Sequence, residues 1–251
     1  MQKTLTRSLK LLCMAVFLYQ TDFAYAEIHG TITGTTNYVW RMYSKSNNEP
    51  TIQGNLDYQH SSGLYIGASA SSFNIGSSEL DEFFDVTTIF PDSAQVEITP
   101  YVGWSFKLAD DWRVDLQYSR YFYDGLIFST EPDYNEFYLF VHYKDLLSLQ
   151  TSYAKDFYGL EGDAYFYELT GRYPLTGYLE VSSSFGYANT KSVLSADYPY
   201  WNVGFTGRYK FIALDLRYYE ASEVNVGEEL DFFDHPHTQK ATIVFSISAG
   251  F

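Results

Sequence analysis

The residues whose types could support chemistry fall in three groups. His235-Pro236-His237 follows Asp231 and Asp234, and imidazole with carboxylate is a ligand set for zinc, copper or nickel. Two histidines around a proline are a weak motif, so no metal site is expected, and these four residues are the nearest candidates. His60-Ser61 is the nearest His/Ser pair. A catalytic triad is defined by geometry rather than by sequence adjacency, and no G-x-S-x-G elbow is present. No catalytic residue and no cofactor is therefore expected. The third group is acidic. Glu79, Asp81, Glu82, Asp85 and Asp92 crowd one stretch, and Glu223, Glu228, Glu229, Asp231 and Asp234 crowd another. They read as solvated surface, bridged to lipopolysaccharide by divalent cations, or as a mouth that concentrates cations. The net charge of −15 excludes a nucleic-acid partner, because phosphate binding needs a basic face.

The elements that must position these groups are strands. Residues 1–26 read as a cleaved signal peptide: Lys3, Arg7 and Lys10, then an apolar run from Leu11 to Tyr19, then Ala24-Tyr25-Ala26. The single cysteine, Cys13, lies inside it, so the remainder can form no disulfide. Residues 27–251 alternate apolar and polar almost throughout. The last segment is the plainest: Ala241, Ile243, Phe245, Ile247, Ala249 and Phe251 oppose Lys240, Thr242, Ser246 and Ser248. Eleven earlier segments repeat the pattern. The first of these sets Ile32, Tyr38, Trp40 and Met42 against Thr33, Thr35, Asn37 and Arg41.

Connections alternate short and long, with short ones such as His60 to Gly63 and long ones such as Gly76 to Ser93. Aromatics gather near predicted strand ends: Tyr38 and Trp40, Trp104 and Phe106, Trp112, Tyr121 to Tyr123, Tyr200 and Trp201. Amphipathic rings suit the two interfaces of a bilayer. These features favour an all-β chain forming a single antiparallel transmembrane β-barrel of about twelve strands over a soluble sandwich. Both termini then lie on the short-turn, periplasmic side of a bacterial outer membrane. A strand ending in Phe251 is the expected signal for the barrel-assembly machinery.

In such a barrel the charged members of the polar face point inward, because a charge at mid-bilayer costs about 2–4 kcal/mol. The expected lumen-lining acids are Asp57, Glu97, Asp115, Glu136, Glu168 and Asp215. The bases are Arg41, Arg113, Arg172, Arg208, Arg217 and Lys240. Their near balance suits either a bracing ladder of ion pairs or a constriction that selects solutes, and it argues against specific anion uptake.

The first hairpin also resembles a known family. Asn37-Tyr38-Val39-Trp40-Arg41, Pro50, Gln53-Gly54, Asp57-Tyr58, His60, Ser62-Gly63, Tyr65 and Gly67 are similar to the opening signature of the TorF-like porins, bacterial outer-membrane proteins of unassigned substrate. Val96-Glu97-Ile98 with Gly103, Tyr134 to Phe140, and Tyr173-Pro174-Leu175 continue the likeness. Tyr121-Phe122-Tyr123-Asp124-Gly125 stands where a Tyr- and Pro-rich turn is usual. The resemblance implies an outer-membrane pore and carries no catalytic residue. The leading expectation is a channel for passive diffusion of small hydrophilic solutes or ions, with weak cation preference. The alternative is a closed barrel acting through its acidic outer loops; the third reading is a lipid hydrolase. Expected partners are outer-membrane lipid and lipopolysaccharide, the assembly machinery, and small solutes or ions.

Overall fold

A computed structural model describes residues 27–74, 94–127, 131–194, 196–221 and 241–251. Strand alternation closes it into a barrel. The elements are β1 (Glu27–Thr35), β2 (Val39–Trp40), β3 (Tyr43–Ser44), β4 (Thr51–Gln59), β5 (Leu64–Ser72), β6 (Val96–Ala109) and β7 (Trp112–Tyr123). They continue as β8 (Tyr134–Tyr143), β9 (Leu147–Lys155), β10 (Ala164–Pro174), β11 (Leu179–Asn189), β12 (Asp197–Tyr209), β13 (Ile212–Ala221) and β14 (Ala241–Gly250). Twelve of these form the closed sheet in the order β1-β14-β13-β12-β11-β10-β9-β8-β7-β6-β5-β4, with every pairing antiparallel. β2 and β3 form a separate small hairpin.

Each wall strand keeps its period of two. Ile243, Phe245 and Ile247 are exposed on the outside, while Val244 between them is buried inside. Leu214 and Leu216, Tyr167 and Leu169, and Ile66 and Leu64 are likewise exposed around the wall. A continuous apolar exterior with no covering layer is the surface of a lipid-facing barrel. Closure also removes the free strand edges that would otherwise need protection.

One end of the barrel carries tight turns. Gly63 adopts φ +85° in the β4–β5 turn, and a Cβ there would strike the Ser105 carbonyl. The chain ends at this same end. Gly30 N–H donates to the Phe251 carbonyl and Phe251 N–H donates to the Gly30 carbonyl, both at 3.0 Å. The Phe251 ring lies over Gly30, where a side chain on that residue would fall inside the ring. The seam between first and last strands therefore ends on a residue pair chosen for size.

The first strand departs from expectation. β1 stops at Thr35, and residues 36–50 leave the wall. Arg41 and Met42 have φ 50° and φ 68°, the two left-handed positions of a tight two-residue hairpin between β2 and β3. Such turns usually use Asn-Gly, and Arg-Met gives no such cue. Tyr38, Trp40 and Met42 thus do not face lipid: they enter the barrel with Arg41. Tyr121 and Tyr200 are also buried inward, and Tyr123 points in with them, so these are not interface residues. Trp104, Trp112, Phe122 and Trp201 do lie on the exposed outer face.

Candidate functional site

The site is built by residues 36–50 inside the long-loop end of the barrel. The segment first holds itself together. Asn37 Oδ1 accepts from Ser44 Oγ at 2.7 Å and Ser46 Oγ at 3.3 Å, and Asn37 Nδ2 donates to Asn48 Oδ1 at 2.9 Å. Ser46 Oγ donates to the Glu49 carbonyl at 2.7 Å. These short polar side chains satisfy the turn from within.

It is then pinned to the wall on several sides. Arg41 pairs with Glu136 of β8 and donates from Nη2 to Ser152 Oγ of β9 at 2.9 Å. Lys45 Nζ pairs with Glu97 of β6 at 2.5 Å. Glu97 also accepts from Tyr123 Oη at 2.7 Å and Tyr38 Oη at 3.3 Å. Tyr198 of β12 donates its hydroxyl to the Arg41 carbonyl at 2.9 Å. The side chains of Lys45 and Glu136 are 0 % exposed, and that of Arg41 is 4 % exposed.

Aromatic rings complete the seat. The Arg41 guanidinium lies 3.6 Å from the Phe166 ring centre and 4.0 Å from that of Trp40. The Lys45 ammonium lies 4.1 Å from the Trp40 ring centre. Tyr121 stacks on Tyr134 at 4.5 Å and 6°. Desolvated cations over ring faces gain about 2 kcal/mol each.

Electrostatics separates the two cations. Burial is the largest single influence and works against the Arg41 charge, but Glu136 together with Tyr138 and Tyr200 outweighs it and raises the guanidinium well above its ordinary value. For Lys45 burial wins, and the ammonium is lowered despite Glu97. The seat is also incompletely satisfied. Arg41 Nη1 and Glu136 Oε2 are buried and have no hydrogen-bond partner among the described residues. A buried pair with unfilled hydrogen-bonding capacity is held less firmly than its contacts suggest.

Toward the short-turn end the wall is polar and partly open. Arg217 joins Asp215 at 3.0 Å, Asn202 Oδ1 at 2.7 Å and Ser182 Oγ at 2.8 Å. Arg113 lies 3.8 Å from Asp115, which also accepts from Tyr65 Oη at 2.6 Å. Arg172 donates to Ser148 Oγ at 2.8 Å, and Arg208 lies 3.6 Å from Glu180. Glu168 accepts from Thr170 at 3.3 Å, and Asp57 meets His29 at 3.4 Å.

The structure thus brings Arg41, Glu97 and Glu136 together under the inserted hairpin, sets Glu168 against Tyr200 at the edge of that cluster, and leaves the other described charges along the lower wall. Lys240, both acidic clusters and the His235/His237 group lie outside the described residues. Sequence reasoning missed Lys45, which stands in a run of Ser and Asn that reads as solvated loop. It also missed Glu180, although alternation placed it on the polar face. His60 Nδ1 contacts Ser62 Oγ at 2.9 Å on an exposed turn, so Ser61 is not its partner. His142 Nδ1 meets Ser148 Oγ at 2.8 Å in the lumen, a pair no local motif announces. Among the described residues no cluster of His, Cys, Asp or Glu has the arrangement of a metal site.

Comparison with solved structures gives the same architecture. The KdgM porin aligns with a TM-score of 0.55 at 8% identity, covering 89% of this chain and 99% of that one. The KdgM porin in complex with disordered oligogalacturonate aligns at 0.53 and 9%, covering 90% and 99%. The NanC porin aligns at 0.52 and 11%, covering 88% and 98%. No curated protein matches the chain. A family model described as a bacterial protein of unknown function matches residues 21–251, and the chain, a twelve-stranded transmembrane barrel with a hairpin folded into its lumen, belongs to that Gcw_chp family.

Proposed function

We propose that this protein is a porin-like outer-membrane channel for passive diffusion of small hydrophilic solutes, constricted at its long-loop end by residues 36–50. The observation that carries the reading is the contrast along the lumen. Two buried ion pairs hold the hairpin at one end, while the other end presents partly exposed Arg, Asp and amide groups. The short-turn end, with both termini, is the periplasmic side. The exposed apolar band meets lipid, with lipopolysaccharide at its outer rim, and the strand ending in Phe251 is read by the assembly machinery. Residues 1–26 serve as the signal peptide. The resemblance to the TorF-like porins agrees with this assignment.

The described inward charges are near balance, so ion preference has to come from the acidic stretches 79–92 and 223–234; it is weakly cationic. One structural neighbour was solved with oligogalacturonate. A polyanion of that kind would meet Asp57, Asp115, Glu168 and Asp215 as well as the lumenal arginines, with no basic excess to hold it, so its ligand is not carried over.

A second reading is favoured by the hairpin itself. Its contacts reach β6, β8, β9, β10 and β12, which span the lumen. A barrel closed in this way would act through its outer surface. Planar-bilayer recordings separate the two. The channel reading expects reproducible small conductance steps from the purified protein and several-fold larger ones from Arg41→Met/Lys45→Met. Silence from both proteins at all voltages would leave the closed barrel as the answer.

A further inference from the structure

The inward face of β8 carries three aromatic side chains in succession: Tyr138, Phe140 and His142. Their rings are parallel. Tyr138 and Phe140 lie 5.7 Å apart at 6°, and Phe140 and His142 lie 6.0 Å apart at 7°. The row begins beneath the hairpin, where Tyr138 Oη shares a 2.6 Å hydrogen bond with Tyr121 and lies near Arg41. It runs from there toward the short-turn end. Tyr138 is buried under the seat, but Phe140 and His142 are only partly covered.

Phe140 is the anomaly. It is the one member of the row without a polar atom, and its ring stays only partly covered between those of Tyr138 and His142. Its neighbours across the sheet are Asp115 on β7 and Gln150 on β9. Tyr138 is flanked in the same way by Gln117 and Ser152, and His142 by Arg113 and Ser148. The Gln150 carboxamide faces inward, is partly covered, and has no hydrogen-bond partner among the described residues.

We infer that the β8 ring row is a binding track for neutral sugars, with Phe140 and Gln150 at its centre. This rests on the channel reading and names a solute class for it. A pyranose presents an apolar C–H face and a rim of hydroxyls. An aromatic ring takes the first, and flanking amides and carboxylates take the second, the usual composition of a small-molecule site. Net charge on the solute is disfavoured in either sign. An acidic sugar meets Asp115 and Glu168, and a basic one meets Arg113 and Arg172.

The test uses maltotetraose as a neutral probe and tetragalacturonate as an acidic one, on full-length barrel in a detergent without sugar headgroups and in planar bilayers. Binding is read by NMR saturation transfer, and passage by transient current block. Maltotetraose should bind and block, tetragalacturonate should do neither, and Phe140→Ala should weaken maltotetraose about tenfold. Phe140→Trp should retain it. Equal affinity in wild type and Phe140→Ala, or preference for the acidic probe, overturns the track. Conductance without maltotetraose binding also overturns the track and leaves the channel standing. Maltotetraose binding without conductance does the reverse.

Discussion

Arg41 and Lys45 carry charge into a part of the barrel with almost no water, and each is tolerable only because of its partner. Removing one member of a buried pair costs about 3–5 kcal/mol, since the other is left uncompensated. Arg41→Met should therefore release the hairpin from Glu136. Trypsin reads this directly: Lys45 is fully buried in the native barrel, so wild type should resist cleavage there while the variant is cut. Arg41→Met/Glu136→Leu removes both charges and should recover much of the resistance. A single variant as resistant as wild type would show that the ion pair does not hold the hairpin. At this scale the sequence was half legible. Alternation put Glu97 and Glu136 on the inward face, because that depends only on neighbours in the strand. It could not pair them with Lys45 and Arg41, since those contacts cross the lumen.

The seam between β1 and β14 shows how an element depends on a single small residue. Gly30 leaves room for the Phe251 ring, and each donates one backbone hydrogen bond to the other. Gly30→Val would overpack this contact, a change that typically costs about 1–3 kcal/mol. Refolding from urea into micelles, without any assembly machinery, isolates the packing effect. The variant should show a lower urea midpoint and a smaller folded fraction by heat-modifiable gel mobility. An unchanged midpoint would mean that Phe251 contributes only as a recognition signal. The strand itself was readable from its apolar register, but the Gly30 contact was not, because 221 residues of chain separate the two ends of the seam.

Across the whole molecule, function depends on which face of each strand meets lipid. Leu216 is exposed on the outer face of β13, and Leu216→Arg should cost about 2–4 kcal/mol near mid-bilayer. Gln53 faces the lumen from β4, and Gln53→Arg should cost far less. Urea titration in lipid vesicles compares them; equal losses would contradict the assigned faces. Any cation preference set by the acidic stretches should be strongest at low salt and fade toward 1 M, where the Debye length falls to about 3 Å. Reversal potentials in salt gradients measure it.

The sequence by itself determined that the chain is a barrel with lipid outside, polar groups inside, and short turns gathered at one end. These follow from a period of two and from loop lengths, both local properties. Only the tertiary structure decided the fate of Tyr38, Trp40, Arg41 and Met42. Their alternation is that of a wall strand. Two left-handed residues instead turn the chain inward, and the contacts that reward the turn lie far along the sequence, with Glu136 95 residues from Arg41. Local pattern cannot weigh a lipid-facing Trp40 against one packed on Arg41, Tyr121 and Phe166; the assembled wall can, because it alone brings those partners within reach.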